Sequence, residues 1–181
     1  CYGMNCGIYH PFSESRFDKF AAGIETLRGK VINRKASIIH LTPPVFDPVP
    51  IKDRVLPAGQ KVYEKPFEGY NRVLDTYTER LIYQGKNFGW KVIDIHAPMK
   101  AALEAGRKAD PAFSLAKDGV HPTPEGHWVI TQTILAAWKV KHDYKLEDFS
   151  GPAGRLAALF KPVSERQRVL KAAWLSYCGH K

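Results

Sequence analysis

Apolar residues recur at helical spacing in several separate stretches of the chain. From Glu14 to about Asn33, Phe17, Phe20, Ala21, Ile24, Leu27 and Val31 fall on one face of an amphipathic helix. Ser13 stands where it can cap that helix, because a hydroxyl can accept from the free amides of a first turn. Tyr70, Val73, Leu74, Tyr77 and Leu81 mark a second helix over about 67–83, and a weaker pattern covers about 98–108. Val129, Ile130, Thr133, Ile134, Ala137 and Trp138 predict another from Pro124 to about Val140, with Thr123 as its cap and Pro124 at a first position that needs no amide hydrogen. A last helix is predicted over about 164–177.

Between the first helices lie two β-rich runs. "ASIIHLTPP" stops at Pro43 and Pro44, which cannot donate to a ladder, and "GWKVIDIH" follows a turn at Gly89. Helix, strand, helix, strand is the order of an α/β protein with parallel strands. From Val45 to Pro66 the chain is proline-rich and without periodicity, which reads as a long surface excursion rather than a linker between domains. A polar, glycine-bearing stretch runs from Lys141 to Gly154. No internal repeat or low-complexity segment is visible.

Composition narrows this picture. With 181 residues, 44% hydrophobic and 25% charged, the chain has the makeup of one globular domain with one core. No run of eighteen or more apolar residues occurs, so no membrane span is expected. The sequence opens on Cys1 with no basic-then-apolar leader, so it is expected to begin inside a longer or processed polypeptide, and no compartment is legible. Its three cysteines show no C-x-x-C or His-Cys spacing, so at least one free thiol is expected and no zinc site. The net charge of +9 would suit an anionic partner. The Lys and Arg residues are spread along the chain, however, and a solvated surface rather than a nucleic-acid partner is expected.

Candidate chemistry concentrates in "DGVHPTPEGH", Asp118 to His127. An Asp three residues ahead of a His in a stiff loop suits an acid/base pair: the carboxylate orients one ring nitrogen and the other takes a proton. A loop Asp capping a turn beside a surface His is the competing reading. His127, on the following helix, reads as a partly buried helix residue. Near the start, Asn5 lies in the glycine-flanked "YGMNCG", which taken alone is a turn.

Together these stretches resemble the SGNH hydrolases, also called the GDSL family of serine esterases and lipases. "DGVHP" matches that family's last block, Asp-x-x-His-Pro, and "YGMNCG" resembles its third, Gly-x-Asn-Asp, through Gly3 and Asn5. The layout agrees too, with the Asn loop early and the Asp-His loop just before a late helix. The resemblance implies a flavodoxin-like three-layer α/β/α fold with parallel strands. It implies His121 as general base, Asp118 as its orienting acid, and Asn5 as an oxyanion donor, in a Ser-His-Asp mechanism without metal or organic cofactor. The implied substrate is a small ester, with short acyl esters, acetylated carbohydrates and lipids all open.

Two departures stand out. Position 6 is Cys where the family has Asp; Cys6 could itself be a nucleophile or a small half-buried thiol. The family's Gly-Asp-Ser nucleophile block is absent, as is the block carrying a second oxyanion glycine, and Ser13, Ser37 and Ser114 sit in no nucleophile context. Residues 1–140 are therefore expected to be the C-terminal portion of such a hydrolase domain, inactive alone, with 141–181 a helical extension. Such a portion should hold an incomplete sheet of about two parallel strands and a poorly covered helix face. A catalytically inactive SGNH-like module binding a carbohydrate or protein is the alternative, and a basic nucleic-acid binder, resting on charge alone, is a third. The oligomeric state is not legible.

Overall fold

Phe20 and Tyr77 stack with ring centroids 4.6 Å apart, joining the faces that the periodicity marks on the first two helices. The computed structural model describes residues 2–149 and 154–179, so Cys1 and any pairing it makes lie outside them. The chain divides after Val140 into two compact units.

In the first unit, α1 (Glu14–Asn33) buries Phe20 and Ile24. Ser13 holds the cap position, but its hydroxyl makes no cap bond; its backbone carbonyl accepts from the amides of Arg16 and Phe17 at 3.1 and 3.0 Å. Helix α2 (Tyr70–Phe88) buries the expected Tyr70, Val73, Leu74, Tyr77 and Leu81. It starts later than the sequence predicts and continues past Tyr83. The polar run after Tyr83 hides these last turns from a periodicity search, yet Gln84 is buried and a Cβ at Gly85 would meet Val92 Cγ2 at 3.3 Å. Gly89, with φ 67°, ends the helix in the left-handed conformation that glycine adopts without penalty.

The described residues form one small parallel sheet, β1 (His40–Leu41) beside β2 (Val92–Ile93). Both strands are shorter than the β-rich runs. Beyond Leu41, the Thr42 hydroxyl donates to Asp94 Oδ1 at 2.9 Å and accepts from the amides of Ile95 and His96. These side-chain bonds end the ladder and start α3 (His96–Ala109) before Pro98, because Asp94 Oδ1 also accepts from the amides of His96 and Ala97. Helix α4 (Pro124–Ala137) begins as expected, with Thr123 Oγ1 accepting from Gly126 N at 3.2 Å, but ends short of Val140. Its Val129, Ile130, Ile134 and Leu135 are only half-buried, and Trp138 just beyond is 57% exposed.

The excursion from Val45 is not all surface. Val45, Phe46, Asp47 and Ile51 are buried, with Ile51 in a short 3₁₀ segment, Val49–Arg54. The Asn71 side chain accounts for this, accepting from Phe46 N at 2.8 Å and donating to Phe46 O. Paired with one amide side chain, the backbone of Phe46 can enter the core beside Tyr70.

In the second unit, α5 (Ala157–Tyr177) starts well before Ser164, with Pro162 inside it and no buried side chain. Arg155 binds Asp143 and Asp148. No helix among the described residues is long and apolar enough to cross a membrane.

Candidate active site

Asp118 and His121 meet at the turn before α4. Asp118 Oδ1 accepts from the amides of Val120 and His121 at 3.0 and 2.8 Å, which closes the loop, and Oδ2 faces His121 Nδ1 at 2.7 Å. Gly119 between them has φ +85°, and a Cβ there would lie 2.6 Å from Ile51 Cδ1 and 2.9 Å from the Asp47 carbonyl oxygen. Glycine is thus required both by conformation and by space. An ionised carboxylate only accepts, so Nδ1 donates to it and Nε2 of the neutral ring is left as an acceptor. Nε2 has no partner among the described residues, and the imidazole is 84% exposed.

The imidazole contact, and after it the two amides, push the Asp118 carboxyl down from its ordinary 3.8 to about 2. A carboxyl depressed on folding gives stability that is complete above its unfolded value and is lost as pH falls through its folded one. The window here is roughly pH 4 to 2, and the gain is small because both side chains are exposed. The carboxyl carbon of Asp118 should titrate near pH 2 by NMR, and His121→Ala should move its midpoint up. An unmoved midpoint would mean that the amides alone hold the charge.

A second histidine meets an aspartate in the same unit, twenty-one positions away and in no motif of the sequence. His96 is 2% exposed, with Nδ1 3.0 Å from Pro43 O and Nε2 3.1 Å from Asp75 Oδ1. Both ring nitrogens are occupied, so His96 ties α3 to α2 and has none to offer a substrate. His127 is exposed rather than half-buried, since the first turn of α4 faces outward there.

Asn5 stands in a tight loop clamped from below. The buried Tyr70 hydroxyl donates to Met4 O at 2.7 Å and accepts from Gly7 N at 3.1 Å, on either side of Asn5. A Cβ on Gly7 would lie 2.6 Å from that hydroxyl, which explains the glycine. Burial lifts the Tyr70 phenol well above its ordinary value, so it keeps its donor proton. Asn5 itself is exposed.

Two consecutive residues join this loop to the other. The Phe46 ring packs against Tyr9 at 6.1 Å, and Asp47 N donates to Gly119 O at 2.9 Å. Tyr9 in turn senses Asp118: its phenol is raised by burial first and by the Asp118 charge second. The elements holding Asn5 and His121 are therefore neighbours, anchored on the buried start of the excursion. Asp47 and Tyr9 were not legible as site residues, since their partners lie far away in sequence or outside any motif.

Burial pushes the Cys6 thiol up, outweighing the hydrogen bond to the Gly3 backbone, so Cys6 lacks the lowered pKa of a nucleophile. Among the described residues no serine hydroxyl bonds to His121, and Ser114 donates instead to Asp47 Oδ2 at 2.7 Å. No group of three or more His, Cys, Asp or Glu side chains among them is arranged to hold a metal ion.

No protein family described by sequence and no curated protein matches the chain. Solved structures match its fold. A gut microbial diltiazem-metabolizing enzyme superposes with a TM-score of 0.52 at 20% identity, over 76% of this chain and 31% of that one. A catalytic mutant of Axe2, an acetylxylan esterase from Geobacillus stearothermophilus, superposes with a TM-score of 0.52 at 18% identity, over 77% of this chain and 57% of that one. The chain thus spans less than two thirds of either protein. The resemblance to the SGNH hydrolases carried by "DGVHP" and "YGMNCG" extends to the fold.

Proposed function

We propose that this chain carries the acid, the base and one oxyanion donor of an SGNH-type ester hydrolase. The observation that carries the reading is the free Nε2 of His121, held outward while Nδ1 donates to an ionised Asp118. A base needs this arrangement: one nitrogen fixed by an acceptor, the other open. The Asn5 loop beside it supplies a neutral amide donor, which stabilises a developing oxyanion as a fixed dipole.

The serine that attacks the ester carbonyl comes from residues outside this sequence. His121 Nε2 takes its proton, Asp118 stabilises the imidazolium, and Asn5 donates to the tetrahedral oxyanion. The imidazolium then protonates the leaving alcohol, and water deacylates the serine by the same base. The half-buried apolar face of α4, the two-stranded sheet and the partial coverage of longer neighbours support a hydrolase domain of which these residues are a portion. The substrate is a small ester, with acetylated carbohydrate and lipid both compatible.

The test is hydrolysis of p-nitrophenyl acetate, with fluorophosphonate labelling, by this chain and by the full-length protein. Turnover and labelling are expected in the full-length protein alone. Labelling of the 181-residue chain would put the nucleophile inside it and overturn the division of roles. Silence in both would leave an inactive binding module.

A further inference from the structure

Asn5 can serve as an oxyanion donor only if its amide is turned the right way, and the structure shows what turns it. The Tyr9 hydroxyl donates to Asn5 Oδ1, while Asn5 Nδ2 has no partner among the described residues. An amide that could rotate would offer its oxygen to an oxyanion as readily as its nitrogen, and the oxygen would repel it. We propose that Tyr9 is a positioning residue for the oxyanion site: its phenol holds the Asn5 carbonyl so that Nδ2 alone faces the substrate. The proposal rests on the esterase reading above.

Three further observations bear on Tyr9. The first is backbone strain. Ile8 and Tyr9 lie at φ 49° and 58°, two successive non-glycine residues in the left-handed region, and Ile8 is β-branched. Each such residue costs about 1–2 kcal/mol and persists where surrounding structure over-determines it.

The second is that the surroundings do so. Phe67 N donates to Tyr9 O at 2.7 Å, and the Tyr9 ring lies 5.2 Å from that of Tyr70. A strained residue whose ring is gripped on the core side and whose hydroxyl reaches a single exposed Asn is spent on that contact. The third is charge. Burial and the Asp118 carboxylate both raise the Tyr9 phenol, which therefore keeps the proton it donates. Hydrogen bonds in series polarise one another, so donation into the Asn5 carbonyl also strengthens its N–H groups as donors.

Tyr9→Phe removes the hydroxyl and keeps the ring. In the full-length protein it is expected to lower kcat for p-nitrophenyl acetate about tenfold or more, with KM within about twofold, since the oxyanion forms only after binding. Asn5→Ala should lower kcat by about 10²- to 10³-fold, and the double variant should lose no more than Asn5→Ala alone. Wild-type kcat in Tyr9→Phe, or losses that multiply in the double variant, would overturn the proposal.

A second readout needs no activity. In the 181-residue chain the Asn5 side-chain amide should give one well-resolved pair of NMR signals that Tyr9→Phe shifts. Unshifted signals would overturn the contact itself. If the full-length protein cleaves no ester while the signals do shift, the esterase reading fails and the Tyr9 to Asn5 contact stands.

Discussion

On the proposed function, His121→Ala is expected to lower ester turnover by the full-length protein by about 10⁴- to 10⁶-fold, with KM little changed. The size follows from what is lost. In the proposed mechanism, without Nε2 nothing takes the serine proton as the hydroxyl attacks, and nothing returns it to the leaving alcohol. Both proton transfers follow binding, so the loss is expected on kcat. Asp118→Asn keeps the loop but presents an amide to Nδ1; the ring can then carry its proton on Nε2, where it cannot act as base, and a loss of about 10⁴-fold is expected. His96→Ala is the matched control. Both nitrogens of His96 are engaged within the core, so it should show up in thermal stability, with kcat per folded molecule retained. A fall of less than about tenfold in His121→Ala would place the base elsewhere and end the assignment.

Much of this arrangement could be read from the sequence where the information is local. The Asp118 to His121 turn closes through amides two and three residues from the carboxylate, and Thr123 and Pro124 start α4 by contacts within one turn. The apolar faces of α1 and α2 were legible for the same reason: a helix repeats its own geometry. The strands are shorter than their β-rich runs, because Thr42 and Asp94, fifty-two positions apart, replace the ladder with side-chain bonds. Helix α2 outruns its apolar periodicity, because its closing signal is Gly89 and a polar run precedes it. What joins the Asn5 loop to the Asp-His loop was not legible at all. Phe46 and Asp47 sit in a proline-rich stretch without periodicity, and their partners Asn71, Arg107 and Ser114 are recognisable only once α2 and α3 are folded around them.

Asp47→Ala should therefore be among the most damaging substitutions outside the candidate triad, at about 3–5 kcal/mol of stability. Its side chain is 0% exposed, and its carboxylate takes the Arg107 guanidinium, the Ser114 hydroxyl at 2.7 Å and the Val49 amide at 3.1 Å. Alanine leaves all three donors unanswered around a cavity, and Arg107, mostly covered, keeps a charge without its partner. Asp47→Asn keeps the shape and one acceptor, so it should cost less, about 1–3 kcal/mol. The urea midpoint should fall in that order with an unchanged slope, because the surface exposed on unfolding is the same. The consequence reaches the site. Asp47 N holds Gly119 O, and the Asp47 carbonyl lies where a Gly119 side chain would be, so loosening Asp47 loosens the turn that aims His121. The Val120 and His121 amides should then exchange hydrogen faster in Asp47→Ala than in the parent, by more than the global loss of stability accounts for. Equal exchange at these amides would show that the turn stands on its own bonds and that Asp47 serves the core alone.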